Sequence, residues 1–252
     1  MFQLALISAI ILLSSYFGRE YATVSYNVLN LIITTPLIAI CLFLLVKEGI
    51  RGDFGRGWLC FTTFNVFWFV AERIWMFYEL VYKIDPWPSE ADYFWLAGYP
   101  IYFAFTIFYL KPFKNAISAK TIALSIGVTV TVAGFLIYNV SQKSSLFEPE
   151  TALGIAYPVA DTISLAPIIV GLILFFRGKV NFLWTCLLIG MLCFVVSDYW
   201  FSIYSFDDYS GQPIDIPYLW AYLFFLFGTY NRLDLFSKRG HENRFNDQEK
   251  FR

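Results

Sequence analysis

The sequence predicts an all-α polytopic membrane protein of eight transmembrane helices, built as two tandem four-helix repeats that share one orientation. Three observations support this fold class: a composition too apolar for a soluble domain, eight apolar segments, and residue patterns that occur once in each half. We place the first repeat at residues 1–115, the second at 116–232 and a polar cytoplasmic tail at 233–252.

The composition excludes several classes of protein. Of 252 residues, 58% are hydrophobic and only 15% are charged, whereas a soluble domain carries about 25% charged residues. The net charge of −1 gives no basic surface for nucleic acid. The four cysteines lie inside apolar segments without metal-ligand spacing, and the single histidine, His241, lies in the tail. Haem held by two histidines, two-histidine zinc motifs and Ser-His-Asp catalysis are excluded, so we expect no metal and no cofactor.

Apolar runs recur along the whole chain and predict the helices. A run of about 20 apolar residues crosses roughly 30 Å of hydrocarbon. The connectors alternate in charge, since 14 of the 18 Lys and Arg residues fall in every second connector and in the tail. The positive-inside rule then places both termini in the cytoplasm of a cell-membrane protein. The predicted segments are 2–17, 24–46, 57–81, 92–110, 121–140, 152–176, 181–206 and 216–231.

An internal repeat relates the two halves. Three patterns recur in the same order, which predicts two four-helix units related by an axis along the membrane normal. The patterns are Tyr26-x3-Asn30-x5-Pro36 with Tyr157-x3-Asp161-x5-Pro167 at an offset of 131, Trp58-x-Cys60-x11-Glu72 with Trp184-x-Cys186-x11-Asp198 at 126, and Asp92-x2-Trp95-x3-Tyr99 with Asp215-x2-Tyr218-x3-Tyr222 at 123.

Polar side chains inside the predicted helices share one depth, in the outer half of the membrane. An intramembrane carboxylate costs at least ~2.5 kcal/mol unless it is paired or hydrated, and Arg73 is the one cation among these helices. We therefore expect a polar, aromatic-walled pocket between the repeats, open to the outside. The candidate ligand-binding residues are Glu72, Arg73, Asp161, Asp198, Asn30, Tyr26, Tyr157, Asp92, Tyr99, Asp215 and Tyr222.

A structural role is the alternative for several of these residues. Asn30 and Asp161 could bond across helices to hold the halves together, and the same holds for Glu72 and Asp198. Asp92 and Asp215, each near a predicted helix N-terminus, could be caps favoured by the helix dipole. Most Trp and Tyr residues are expected in the interfacial belts and in packing.

The chain resembles a known family over roughly residues 20–231, with second-half matches at Tyr157-Pro158-x2-Asp161 and Gly190-x7-Asp198 and the most specific match in the first half. Ala71-Glu72-Arg73-Ile74-Trp75-Met76-Phe77-Tyr78-Glu79 and Pro88-Ser89-Glu90-Ala91-Asp92-Tyr93-Phe94-Trp95-Leu96-Ala97-Gly98-Tyr99-Pro100 are similar to the multi-helix membrane sensor region ahead of bacterial diguanylate cyclase and related signalling domains. That region usually has Asp where Glu72 stands. About 20 residues follow residue 232, too few for a cyclase or kinase domain, so any output is expected to come from a separate protein.

A looser resemblance concerns the second half. Gly190-Met191-Leu192-Cys193-Phe194-Val195-Val196-Ser197-Asp198 is similar to a pattern in the eight-helix lysoplasmalogenase-like membrane hydrolases, which place one acid in each half. This resemblance implies that Glu72 and Asp198 act as an acid/base pair on a lipid ether bond.

Three functions stay open at this point, and with them the question of whether the protein is an enzyme. The first is a membrane sensor that binds a small cationic or amphiphilic ligand and signals through a cytoplasmic or membrane partner. The second is the intramembrane lipid hydrolase, and the third is an accessory subunit of a membrane complex. Transport is disfavoured because the inner helix halves, such as Ile38–Val46, are almost wholly apolar. The oligomeric state is undetermined, and the lipid bilayer is an expected partner.

Overall fold

The computed structural model describes residues 2–142, 149–176, 181–203 and 210–250. All regular secondary structure in these ranges is helical, which confirms the all-α class. The eight long helices are α1 (Phe2–Phe17), α2 (Arg19–Glu48), α3 (Gly52–Phe77), α4 (Ala91–Leu110), α5 (Ala119–Ser141), α6 (Pro149–Leu174), α7 (Asn181–Ile203) and α8 (Ile216–Lys250).

Glycines explain the first two helix boundaries. Gly18, between α1 and α2, and Gly49, after α2, have φ angles of 115° and 71°, a region in which a β-carbon is strained. Gly49 also caps α2, since its N–H donates to the Leu45 carbonyl oxygen over 2.9 Å. The sequence therefore ends each helix where the backbone must turn.

Five helical segments among the described residues are long and apolar enough to cross a membrane by length and composition. α1, with 16 residues, is apolar but shorter. α3 falls short of this criterion because it carries charged residues such as Asp53, Glu72 and Arg73. The five segments are Arg19–Lys47, Ala91–Ala116, Ala119–Asn139, Thr151–Leu174 and Phe182–Phe201.

Two helices have extensions at their C-terminal ends. α3 continues into a π-helical turn, Tyr78–Tyr82, so the helical rod runs on to the end of the predicted third segment. α8 continues as a helix to Lys250, whereas the last predicted segment ends at residue 231. The predicted basic connector 177–180, with Arg177 and Lys179, lies outside the described residues.

The helices pack in two groups. α1 to α4 pack consecutively in one group and α5 to α8 in the other, and the largest contacts between the groups join α2 to α8 and α4 to α6. Aromatic side chains fill the space between the groups. The indole of Trp68 meets the ring of Phe194 edge-on at 4.7 Å, and the rings of Tyr102 and Phe225 stack at 6.0 Å. These ring contacts are worth about 0.5–1.5 kcal/mol each beyond the area they bury.

Candidate functional site

A half-open cavity lies between the two groups of helices, at the end of the bundle where α4 and α8 begin. Its volume is about 110 Å³, several times the roughly 10–15 Å³ that one water molecule needs. The cavity therefore has room for several waters or for a small organic group. It is lined by Tyr26, Trp68, Glu72, Trp75, Trp87, Trp95, Tyr99, Gly154, Tyr157, Phe194, Asp198, Phe201, Ser210, Asp215, Tyr218 and Tyr222.

Helical spacing brings the lining side chains to one face of each helix. On α3 the lining residues are Trp68, Glu72 and Trp75, and α7 contributes a set with the same spacing, Phe194, Asp198 and Phe201. Residues at positions i, i+4 and i+7 share a face of an α-helix. The same local rule therefore points one carboxyl group, flanked by two aromatic rings, into the cavity from each group of helices.

Two of the cavity's carboxyl groups accept a hydrogen bond from a tyrosine. The Tyr222 hydroxyl donates to Oε1 of Glu72 over 2.6 Å, and the Tyr218 hydroxyl donates to Oδ1 of Asp198. Glu72 is only 6% exposed. Hydrogen bonds to a charged oxygen are about twice as strong as neutral ones, so both tyrosines stabilise the ionised carboxylates.

Asp215 is the third carboxyl group of the cavity. Its Oδ2 accepts the backbone N–H of Gly211 over 2.7 Å and of Gln212 over 3.0 Å. Burial raises the pKa of Asp215 to about 7, while these two N–H donors act in the opposite direction and the nearby Glu79 and Glu72 raise it further. Asp215 therefore changes charge near neutral pH. It also holds the connector before α8 in place, as the cap interpretation predicted.

Four predicted site residues do not line the cavity. Asp161 is completely buried behind its wall and accepts the Tyr99 hydroxyl over 2.7 Å. Asp92 accepts the Tyr157 hydroxyl and, over 2.7 Å, the backbone N–H of Ser89. These two acids thus support tyrosines that do line the cavity.

Arg73 and Asn30 are the other two predicted site residues that do not line the cavity. The Arg73 guanidinium donates to Oδ1 of Asn30 and lies over the Phe69 ring, with 4.9 Å between Cζ and the ring centroid. Because successive helical residues differ by about 100° in direction, Glu72 faces the cavity while Arg73 faces α2. No lysine, arginine or histidine is found among the lining residues.

Sequence reasoning missed Glu79 as a site residue. It lies in the π-helical turn after α3, and π-turns are frequent at functional sites. Its carboxylate accepts the Asn27 amide over 2.7 Å and the Ser210 backbone N–H over 2.6 Å. Glu79 therefore ties α2 and α3 to the connector before α8. Its spacing of seven residues from Glu72 places both on one face, and this signal was available in the sequence.

An aromatic wall was expected, but its tryptophans were not named as candidate site residues. Trp68, Trp75, Trp87 and Trp95 all line the cavity, although the sequence favoured belts and packing for most tryptophans. Across residues 2–142, 149–176, 181–203 and 210–250 no cluster of His, Cys, Asp and Glu could hold a metal ion. A cation that entered this cavity would meet carboxylates and ring faces.

Comparison of the chain with protein-family models gives no match, and comparisons with curated proteins and with solved structures give none either. We therefore infer the function from the geometry of the cavity.

Proposed function

We propose that the chain is an eight-helix membrane protein whose two four-helix repeats face each other across the cavity. The cavity lining supports the repeat, because 12 of the 13 lining residues that lie on α-helices form six pairs at the offsets 131, 126 and 123. The pairs are Tyr26 with Tyr157, Trp68 with Phe194, Glu72 with Asp198, Trp75 with Phe201, Trp95 with Tyr218, and Tyr99 with Tyr222.

Contacts between equivalent residues support a two-fold axis through this interface. Trp68 meets Phe194, its partner at offset 126, and Tyr102 stacks on Phe225, its partner at offset 123. Equivalent residues touch each other only next to a two-fold axis. With the Lys- and Arg-rich connectors in the cytoplasm, the cavity opens to the outside and both termini face the cytoplasm.

The function that the cavity supports best is a membrane sensor that binds a small organic cation. The observation that carries this proposal is the lining itself: three carboxyl groups, Glu72, Asp198 and Asp215, surrounded by tryptophan and tyrosine rings with no cationic side chain. A cation over an aromatic face gains about 0.5–2 kcal/mol per ring when it is desolvated. Carboxylates add a charge attraction that strengthens as water leaves the cavity.

Signal transfer follows from the position of the cavity. A ligand that contacts both repeats favours the arrangement of the two halves in which both sets of rings reach it. Binding therefore shifts the equilibrium between the possible arrangements of the halves. The resemblance to sensor regions of signalling proteins agrees with this route. A separate cytoplasmic or membrane partner then receives the signal.

Choline titration in detergent tests the proposal, with the cavity tryptophans as the fluorescent reporters. Choline should quench or shift their emission, whereas its neutral carbon isostere, which has the same shape without the charge, should not. Glu72→Gln should weaken choline binding at least tenfold, which corresponds to about 1.4 kcal/mol. Glu20→Gln is the matched control, because the Glu20 side chain is 84% exposed and is not among the lining residues. Equal responses to choline and to its isostere would contradict a cation site.

A lipid hydrolase remains the second candidate, since Glu72 and Asp198 line one cavity. General acid–base catalysis needs two carboxyl groups that can share a water and a bond. Incubation with a vinyl-ether lysolipid distinguishes the two functions. Turnover that Asp198→Asn abolishes supports the hydrolase, and its absence in the wild type at saturating lipid refutes it.

A further inference from the structure

Asp161 is a buried acid that the proposed binding function does not use. It lies on α6 with no exposed surface, behind the cavity wall. One carboxyl oxygen, Oδ1, accepts the Tyr99 hydroxyl over 2.7 Å. The other, Oδ2, receives no hydrogen bond from any donor in the described part of the chain. An ionised carboxylate would leave that oxygen without a donor in a dry interior, which is strongly unfavourable.

A second acid interacts with the side chain of Asp161. The carboxyl groups of Asp161 on α6 and Asp198 on α7 lie within hydrogen-bonding reach of each other. The other titratable groups that face Asp161 are tyrosines: Tyr99 and Tyr102 on α4 and Tyr157 on its own helix. No described cation is among these groups. Two contacting carboxyl groups in such a site are compatible with one proton between them and not with two charges.

We propose that Asp161 is a neutral carboxylic acid that donates a hydrogen bond from Oδ2 to the carboxylate of Asp198. Asp161 is then a positioning residue: it accepts from Tyr99 on one oxygen, donates to Asp198 from the other, and keeps Asp198 ionised and aimed at the cavity. The ligand-binding part of this inference rests on the proposed cation site. The protonation itself does not.

The first repeat supports this inference with an independent residue. At offset 131 the position equivalent to Asp161 is occupied by Asn30. Oδ1 of Asn30 accepts the Arg73 guanidinium, and its amide lies beside the Glu72 carboxyl group, although Nδ2 makes no hydrogen bond of normal geometry. An amide and a protonated carboxyl group each present one acceptor oxygen and one donor. The two copies therefore place equivalent donors beside their cavity-facing acids, as an amide in one copy and as an acid in the other.

Infrared spectroscopy tests the protonation without any ligand. Wild-type protein near neutral pH should show the carbonyl stretch of a protonated carboxylic acid, and the isosteric variant Asp161→Asn should lose one such band. Glu20→Gln, which changes an exposed acid, should leave the band unchanged. An unchanged band in Asp161→Asn would overturn the inference.

Choline affinity tests the positioning role, with rescue by the conservative variant. Asp161→Asn keeps one acceptor and one donor, so its dissociation constant should stay within about threefold of the wild type. Asp161→Leu removes the donor and should weaken binding about tenfold or more. If both variants lost affinity equally, Asp161 would act as a charge and the positioning role would be wrong. If the wild type bound no choline, the proposed function would fail, whereas the infrared band would still decide the protonation of Asp161.

Discussion

Gly98 on α4 is the position where one added methyl group tests the aromatic packing behind the cavity. A β-carbon at Gly98 would collide with the indole of Trp68 at Nε1 and Cδ1 and would lie 3.3 Å from the Phe64 ring. Trp68 is fixed on two sides. Its Nε1–H donates to the Trp95 carbonyl oxygen over 3.1 Å, and its ring contacts Phe194 at 4.7 Å. We therefore expect Gly98→Ala to force the indole away from both partners.

The change in the free energy of unfolding caused by Gly98→Ala is the sum of two opposing effects. Overpacking of a filled core costs about 1–3 kcal/mol. Replacing Gly by Ala inside a helix stabilises the protein by about 1 kcal/mol, because the unfolded chain has less conformational entropy and alanine has the higher helix propensity. Because the indole is fixed on two sides, we expect the overpacking cost to lie near the upper end of its range. The net loss in the free energy of unfolding should then be about 1–2 kcal/mol.

Denaturant unfolding in mixed micelles, followed by circular dichroism, measures this loss. Gly127→Ala is the matched control, because Gly127 lies in exposed helix α5 and its added β-carbon would meet nothing within 4 Å. That control should be neutral or slightly more stable than the wild type. Choline affinity should fall only in Gly98→Ala, since Trp68 lines the cavity. If the two variants were equally stable, the tight contact between α4 and Trp68 would be refuted.

Two further predictions concern Asp215, which lines the cavity, and Glu79, which bonds the lining residue Ser210. Burial raises the pKa of Asp215 to about 7, so choline affinity should increase as the pH rises through about 7 and then level off, measured by fluorescence titration. Because this folded-state pKa lies above the unfolded value of about 3.9, the stability that Asp215 contributes is fully present below that value and is lost as the pH rises through about 7. Glu79→Gln replaces the carboxylate that accepts both Asn27 and Ser210. It should cost about 1–3 kcal/mol of unfolding free energy and speed limited proteolysis near Ser210.

The controls for these two predictions use neighbouring carboxyl groups. Asp215→Asn should flatten the pH profile of choline affinity near neutrality, and a profile that persists in this variant would assign the titration to another group. Glu90→Gln is the control for Glu79→Gln, because Glu90 is exposed and bonds only the Tyr78 hydroxyl among the described contacts, over 2.6 Å. If Glu79→Gln and Glu90→Gln were equally stable, Glu79 would not hold the connector.

The elements of the fold could be predicted from the sequence because helices depend on local patterns. Long apolar runs predicted the helices, and the turn glycines Gly18 and Gly49 lie where α2 begins and ends. The common level of Glu72 and Asp198 along the bundle could also be predicted, since it follows from counting along each helix. Glu72 and Asp198, expected at one depth, do line one cavity.

The direction of each side chain around its helix was harder to predict. Glu72 and Arg73 are neighbours, yet only Glu72 lines the cavity, because a helix turns about 100° per residue and the sequence does not fix which face meets the other group of helices. Contacts between helices could not be predicted from the sequence either. Nothing local pairs Tyr99 with Asp161 or Glu79 with Ser210, which are 62 and 131 residues apart. Such contacts depend on tertiary packing.

The most direct test of the cation site is to locate a bound cation. Tetramethylarsonium has the size and charge of a quaternary ammonium group, and its arsenic atom gives anomalous X-ray scattering. In crystals grown with saturating tetramethylarsonium, the account predicts an arsenic peak inside the cavity, between Glu72 and Asp198 and within about 6 Å of a lining ring centroid. A cavity without such a peak, or a peak only at the surface of the protein, would contradict it.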